Sequence, residues 1–357
     1  AGSPVAVNAV SAIGDGLRLL PQSQHQAFWA SASRKTIDCM TSTSGAPLTG
    51  GARPPAVDLD VFASAIEAGR PFVARAALEH KLVTRHALSK RFRMLHPGVY
   101  VAGDAVLGTR DRIRAAGLWA PADATIAGWA AAHLFGEQWY SHRYCVRTVD
   151  VYSPRSLRPT DGVRVHATAR TIPSIDLRKL GGLTTTGPAR AAVDAARWMP
   201  AGDSRICAVD SICNSSKITL ADVADAAGRM AGQHGVSDVT ALLPNCDPEA
   251  QSPQESELRL RIARSELPVP KSQVQIFNEY GQKVATADLA YEEEKVAIFY
   301  DGRWHSREKQ WLFDIHVNAS LADLGWEVVR IARGMLAGTG LEHIVRALER
   351  SRRKHGR

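Results

Sequence analysis

At 357 residues, with 45% apolar and 22% charged side chains, the chain can bury more than one core, which excludes both a disordered polymer and a single small domain. The formal net charge of +8 favours polyanionic partners, nucleic acid first among them. Cys39, Cys145, Cys207, Cys213 and Cys246 form no CxxC pair, so a reducing cytoplasm is expected rather than a zinc ribbon or disulfide framework, and no window is apolar enough for a membrane span.

Residues 1–55 are rich in Ala, Ser, Gly, Thr and Pro without a sustained period, and are expected to be a disordered or non-native extension. Leu17-Arg18-Leu19-Leu20-Pro21 is too short and polar-flanked for a signal-peptide core. Met40 opens Met-Thr-Ser-Thr-Ser-Gly as a natural start would, so residues 1–39 are expected to be an upstream segment without a structural role. From Asp58 the texture changes. An acidic start and helical apolar spacing predict one helix over 58–66, a second over 73–80 and a third over 85–92, the last capped by Thr84. Residues 94–101 read as two short strands around Pro97-Gly98. Three small helices and a hairpin predict a winged helix-turn-helix over 56–105, its basic third helix suited to the major groove. The plainer alternative is a solvated basic helix packed on its own hairpin.

Residues 106–248 read as a mixed α/β middle domain with Ala-rich amphipathic helices. Asp194 and Asp210 are most simply cap or surface charges there, and His142, His166 and His234 stand alone, so no chemistry is expected of this part. The loop 243–251, with two prolines and polar content, is the best domain boundary in the chain. The stretch from Ala77 to Val101, with Thr125-Ile126-Ala127-Gly128-Trp129 after it, resembles the N-terminal domain of AbiEi-type antitoxins. Gly162-Val163-Arg164-Val165-His166 and Thr186-Gly187-Pro188-Ala189-Arg190 extend the resemblance over roughly residues 58–245. It implies DNA binding by the winged helix, transcriptional self-repression and, as a further partner, a cognate toxin of a type IV toxin–antitoxin system. Arg85, Lys90, Arg91 and Arg93 are then the expected phosphate or base contacts.

The last domain, 252–350, opens on Ser252-Pro253-Gln254-Glu255, an N-cap, a proline at the first helical position and a glutamate at the third, with Leu258 and Ile262 on the buried face. Strands follow over 273–277, 284–291 and 296–300, then a helix over 307–324 with Trp311, Ile315 and Ala319 on one stripe, a strand over 326–331 and a final helix over 341–350. The order α-β-β-β-α-β-α predicts a mixed sheet flanked by helices, with a right-handed crossover from the third strand to the fourth. Two residues conflict with that pattern. Asp288 lies inside a strand and Asp301 at the end of the apolar run 296–299, where an ionised carboxylate needs a partner or a metal.

Ser252-Pro253-Gln254-Glu255-Ser256-Glu257-Leu258-Arg259, Asp288-Leu289-Ala290, Tyr300-Asp301-Gly302 with His305, Asp314, and Gly325-Trp326-Glu327-Val328-Val329-Arg330 resemble the restriction-endonuclease-like nucleases, in particular the group similar to very-short-patch repair endonucleases. Many of those relatives carry a glutamate where Phe299 stands, and no lysine follows, since Asp301 takes its place. The very-short-patch repair enzymes themselves have a phenylalanine there, a backbone carbonyl on the metal and histidines for proton transfer. By that resemblance Mg²⁺ (or Mn²⁺) is held by Asp288, the Tyr300 carbonyl and waters, and His305 acts as general acid or base. Glu255 or Asp301 orients the water or completes the surroundings, and Arg303 and Arg307 hold phosphates. Each residue also has a plainer role: Glu255 as a cap, Asp301 in the turn with Gly302, His305 at the surface. The basic tail from Arg346 onward would add salt-sensitive, non-specific DNA affinity. The chain is thus expected to be an α+β multidomain DNA-binding protein with a Mg-dependent endonuclease domain. The alternative is a non-catalytic DNA-binding regulator or antitoxin whose nuclease fold has degenerated.

Overall fold

A computed structural model describes residues 59–168, 170–301, 308–336 and 338–354. The expected extension over 1–55 lies outside them, as do Arg303, His305 and Arg307. Thirteen α-helices and three separate sheets among the described residues make the chain α+β. None of these helices is long and apolar enough to cross a membrane.

The first part contains α1 (Leu59–Glu67), β1 (Phe72–Val73), α2 (Ala74–Glu79), α3 (Arg85–Arg91), β2 (Phe92–His96) and β3 (Val99–Ala102). Its sheet runs β1-β3-β2 and is antiparallel throughout. The hairpin forms because Gly98 takes φ +80 in the turn, a left-handed conformation that costs glycine nothing. Phe72 is fully buried and meets Phe92 edge-to-face at 5.2 Å, which seats the sheet under the helices. The Thr84 hydroxyl accepts the Ala87 amide at 3.1 Å and so starts α3 where its side chain predicts.

The middle part comprises α4 (Thr109–Trp119), β4 (Thr125–Ile126), α5 (Gly128–Leu134), α6 (Ser141–Arg147), β5 (Val149–Ser153), β6 (Val163–Ala167), β7 (Leu177–Leu180), β8 (Leu183–Thr186), α7 (Pro188–Arg197), α8 (Asp203–Ser216), α9 (Leu220–Arg229) and α10 (Val236–Leu242). Its sheet runs β6-β5-β4-β8-β7, with β5 parallel to β6 and β4 parallel to β8. Runs of buried alanine in α5 and α7 let α7 pack closely against α5 on one side and α8 on the other.

Two expectations fail here. Asp194 and Asp210 are fully buried, not surface or cap charges. Their burial is sustained by arginines on neighbouring turns and elements. Asp194 Oδ1 accepts from Tyr152 Oη at 2.5 Å and from Arg197 Nε at 2.9 Å, and the chain of charges continues through Arg190 and Asp176 to Arg229. Burial pushes the Asp194 carboxyl up, opposed by Arg197, Arg190 and the Tyr152 hydroxyl. His166 does not stand alone either: its Nε2 lies 2.7 Å from Asp150 Oδ1, and its ring stacks on Trp198 at 3.8 Å.

The last part holds α11 (Pro253–Ala263), β9 (Lys271–Phe277), β10 (Lys283–Tyr291), β11 (Val296–Asp301), α12 (Glu308–Asp323), β12 (Glu327–Ala332) and α13 (Gly340–Lys354). The sheet order is β12-β11-β10-β9, parallel only between β11 and β12, so the mixed sheet and the element order are as expected. Val296, Ala297 and Ile298 are wholly buried, between a cluster with α11 and α13 and another with α12. In the expected stripe on α12 only Ala319 is corrected, since the side chains of Trp311 and Ile315 lie outside the described residues. Ala319 is exposed, whereas Leu321 is buried, with Val317 and Leu324 packed beside it. The sheet offers small Ala287, Ala290 and Ala297 at that point, and bulky helix side chains complement them better than alanine.

α11 is a shared wall. Leu260 belongs to the middle core, while Leu258 and Ile262 belong to the last sheet's core. Asp210 of α8 fixes the wall in place: it accepts from the Asp247 amide at 2.7 Å, Ser256 Oγ at 2.7 Å and Arg259 at 3.1 Å. Burial raises its pKa to about 6 against those contacts. Asp210→Ala leaves the Arg259 guanidinium without its buried counter-charge and is expected to lower stability by about 3 kcal/mol. Urea unfolding at pH 8 measures this, and an unchanged midpoint contradicts it.

Candidate functional site

α11 begins where the sequence predicts. Ser252 Oγ accepts the Glu255 amide at 3.3 Å and donates to Glu255 Oε1 at 2.7 Å, while Glu255 Oε2 accepts the Gln251 amide at 3.0 Å. The glutamate therefore caps its own helix, one residue earlier than a capping box would reach. Its carboxylate is buried, and burial raises its pKa.

Asp288 sits inside β10 and accepts the Tyr300 amide from β11 at 2.6 Å. Burial, then the charge of Glu255, raises the Asp288 pKa to about 6, with Asp301 adding to the rise. Three carboxylates from three elements therefore share one electrostatic neighbourhood. No cationic side chain is paired with Asp288 among the described residues.

A residue that the sequence does not single out joins them. Gln273 falls on β9 between the registered pairs Ala287↔Val274 and Leu289↔Ser272, opposite Asp288. Its backbone takes φ +52, a left-handed conformation costing a non-glycine residue about 1–2 kcal/mol. Its Nε2 donates to Glu255 Oε2 at 2.9 Å, and the same side-chain amide opposes the rise of the Asp288 pKa. A glutamine at the start of a strand carries no signal by itself, and only the fold shows it between two carboxylates.

Asp301 is engaged elsewhere. Arg330 Nη1 lies 3.2 Å from its Oδ1, and Arg330 Nη2 reaches Asn318 Oδ1 at 3.2 Å. The same guanidinium lies 5.4 Å from the Phe299 ring centroid, its register partner across the parallel pair. Phe299 thus packs under an arginine that is paired with Asp301. Tyr300 Oη is buried without a hydrogen-bond partner among the described residues.

Among the described residues no group of three or more His, Cys, Asp and Glu side chains is placed to hold a metal. The Asp314 side chain lies outside them. In the N-terminal part, Arg85, Lys90 and Arg91 on α3 are exposed, and their side chains make no hydrogen bond or ion pair among the described residues. Arg93 is exposed too, but its Nη2 donates to the Ala105 carbonyl at 2.9 Å, which holds it against the chain after β3.

The chain is 29% identical over 199 residues to an uncharacterised protein found in two strains of Mycobacterium tuberculosis, a match covering 54% of this chain and 71% of that protein. No protein-family model matches it. No solved structure matches it either.

The Asp288 pKa of about 6 exceeds the value of about 4 in an unfolded chain, so its proton stabilises the fold below pH ~4 and that stabilisation is lost as pH rises through about 6. Above that range the buried charge costs at most about 3 kcal/mol. Asp288→Asn keeps an acceptor for the Tyr300 amide and is expected to raise stability by about 1–2 kcal/mol at pH 8, the gain shrinking toward zero at pH 4. Thermal unfolding at the two pH values checks this, and a variant no more stable than wild type at pH 8 contradicts it.

Proposed function

We propose that the protein is a cytoplasmic DNA-binding protein whose last domain, restriction-endonuclease-like, hydrolyses DNA phosphodiesters with Mg²⁺ or Mn²⁺. The observation that carries this reading is Asp288: a buried carboxylate, raised by Glu255 beside it, that no cationic side chain compensates among the described residues. Such a group fits a hard divalent ion, which favours oxygen donors and retains several waters. Asp288 and the Tyr300 carbonyl would hold the ion, which supplies charge stabilisation at the phosphate and a bound water of lowered pKa. The Tyr300 amide fixes the Asp288 carboxylate, while Gln273 on β9 holds Glu255 of α11 beside it. His305 is the residue for proton transfer, and Arg303 and Arg307 are phosphate contacts; these three roles rest on the sequence. Double-stranded DNA is engaged by a winged helix-turn-helix, in which α3 offers Arg85, Lys90 and Arg91 free of internal partners among the described residues.

A second reading has its own support. The Asp301–Arg330 pair and the Arg330–Phe299 contact leave one fewer carboxylate for chemistry, as in a nuclease fold retained for binding. In that case the chain is a DNA-binding regulator or antitoxin, with a cognate toxin as its partner.

Incubating supercoiled plasmid with the full chain and Mg²⁺ or Mn²⁺ separates the readings. Nicking or linearisation that Asp288→Ala reduces at least a hundredfold is expected, while Arg85→Ala with Arg91→Ala weakens mobility shifts of duplex DNA about tenfold. Binding without cleavage across varied substrates would establish the regulator and remove the enzyme. Unchanged shifts in the arginine variant would exclude α3 as the DNA contact.

A further inference from the structure

The middle part, for which the sequence offers no chemistry, contains a built cleft. It opens beside the carboxyl ends of the parallel strands β5 and β6, has a volume of about 550 Å³, and is lined by Tyr152, His166, Arg170, Arg197, Trp198 and His234 with a few smaller groups. That volume falls within the range of small-ligand sites, and carboxyl ends of parallel strands are where open α/β sheets bind ligands.

The charge of the lining is one-sided. Two arginines and two histidines line the cleft and no carboxylate does. Around it, Asp150, Asp176 and Asp194 stand against Arg164, Arg170, Arg190, Arg197 and Arg229, three negative groups against five positive ones. The walls are preorganised. Arg197 Nε donates to Asp194 at 2.9 Å, its Nη1 to the His234 carbonyl at 3.0 Å and its Nη2 to Tyr152 Oη at 2.6 Å. Arg170 is anchored differently: one Nη1 bond at 3.1 Å to the Ala231 carbonyl, with the side chain exposed and no carboxylate paired to it among the described residues. Asp150 accepts from His166 Nε2, so the imidazolium form presents Nδ1–H to an anionic ligand. Trp198 already carries the His166 ring at 3.8 Å and the Arg197 guanidinium at 5.0 Å, so a compact anion suits the cleft better than a stacking nucleobase.

We propose that this cleft binds a phosphate group, with Arg170 as the principal counter-charge and His166 Nδ1 as a second contact. The inference stands apart from the nuclease reading, because it uses no residue of the Asp288 site or of α3. A bidentate arginine contact is the strong way to hold a phosphate, and its loss is worth about a tenfold change in affinity.

Calorimetric titration of the full chain with inorganic phosphate, deoxyadenosine monophosphate, and duplex DNA lacking terminal phosphates tests it. Saturable binding is expected, about tenfold weaker in Arg170→Ala and only partly restored in Arg170→Lys, which returns the charge without the fork, at an unchanged melting temperature. Selective weakening of the two small probes identifies a free phosphate or nucleotide as the ligand, and selective weakening of the duplex identifies a DNA phosphate. Should Arg170→Ala lower the melting temperature, His234→Ala serves instead, since that exposed side chain has no partner among the described residues. No saturable binding of any probe, or full affinity for all three in the folded variant, overturns the proposal.

Discussion

The buried carboxylate of Asp210 is the constraint on which the rest of the last two parts depends. It gathers the Asp247 amide, Ser256 and Arg259 against α8, and so sets the position of α11. α11 in turn buries Leu260 in one core and Leu258 with Ile262 in another. A helix shared by two cores cannot shift without opening one of them. Glu255 lies on its first turn, so the bolt at Asp210 also decides where that carboxylate meets Asp288 across the sheet.

The region around Asp288 stores unfavourable energy in two forms. One is electrostatic: Asp288 and Glu255 are both buried, and each has its ionised form disfavoured. The other is conformational, in the left-handed backbone of Gln273 within β9. A fold under selection for stability alone would replace such a trio with apolar residues at little cost. Their presence together, on β9, β10 and α11, supports a functional reading of this corner. The Asp301–Arg330–Phe299 contact marks its limit, because it withdraws one acid that the sequence offers.

How much of this was legible in the sequence follows from the range of the forces involved. Local signals transfer well: Thr84 and Ser252 start their helices, Pro97-Gly98 turns the hairpin, and the apolar run after Lys295 forms a central strand. Asp288 stands out because a carboxylate conflicts with a strand pattern. Asp194 and Asp210 do not stand out, because an aspartate among alanines is ambiguous between solvent and a buried arginine. The helical spacing of Arg190, Asp194 and Arg197 was the available clue, and it marks both ion pairs within α7. The Arg330 contact with Asp301, the Gln273 bridge and the cleft at His166 depend on strand register and on groups far apart in the chain, which no single-sequence period records.

Under the proposed function, Asp288 anchors a divalent-cation site for phosphodiester chemistry. Electron paramagnetic resonance of Mn²⁺ titrated into the full chain at pH 7.5 tests it without relying on turnover. One strongly bound Mn²⁺ per chain is expected, lost in a folded Asp288→Asn variant and retained in Asp301→Asn. Equal Mn²⁺ binding by wild type and Asp288→Asn, or none by either, would contradict it.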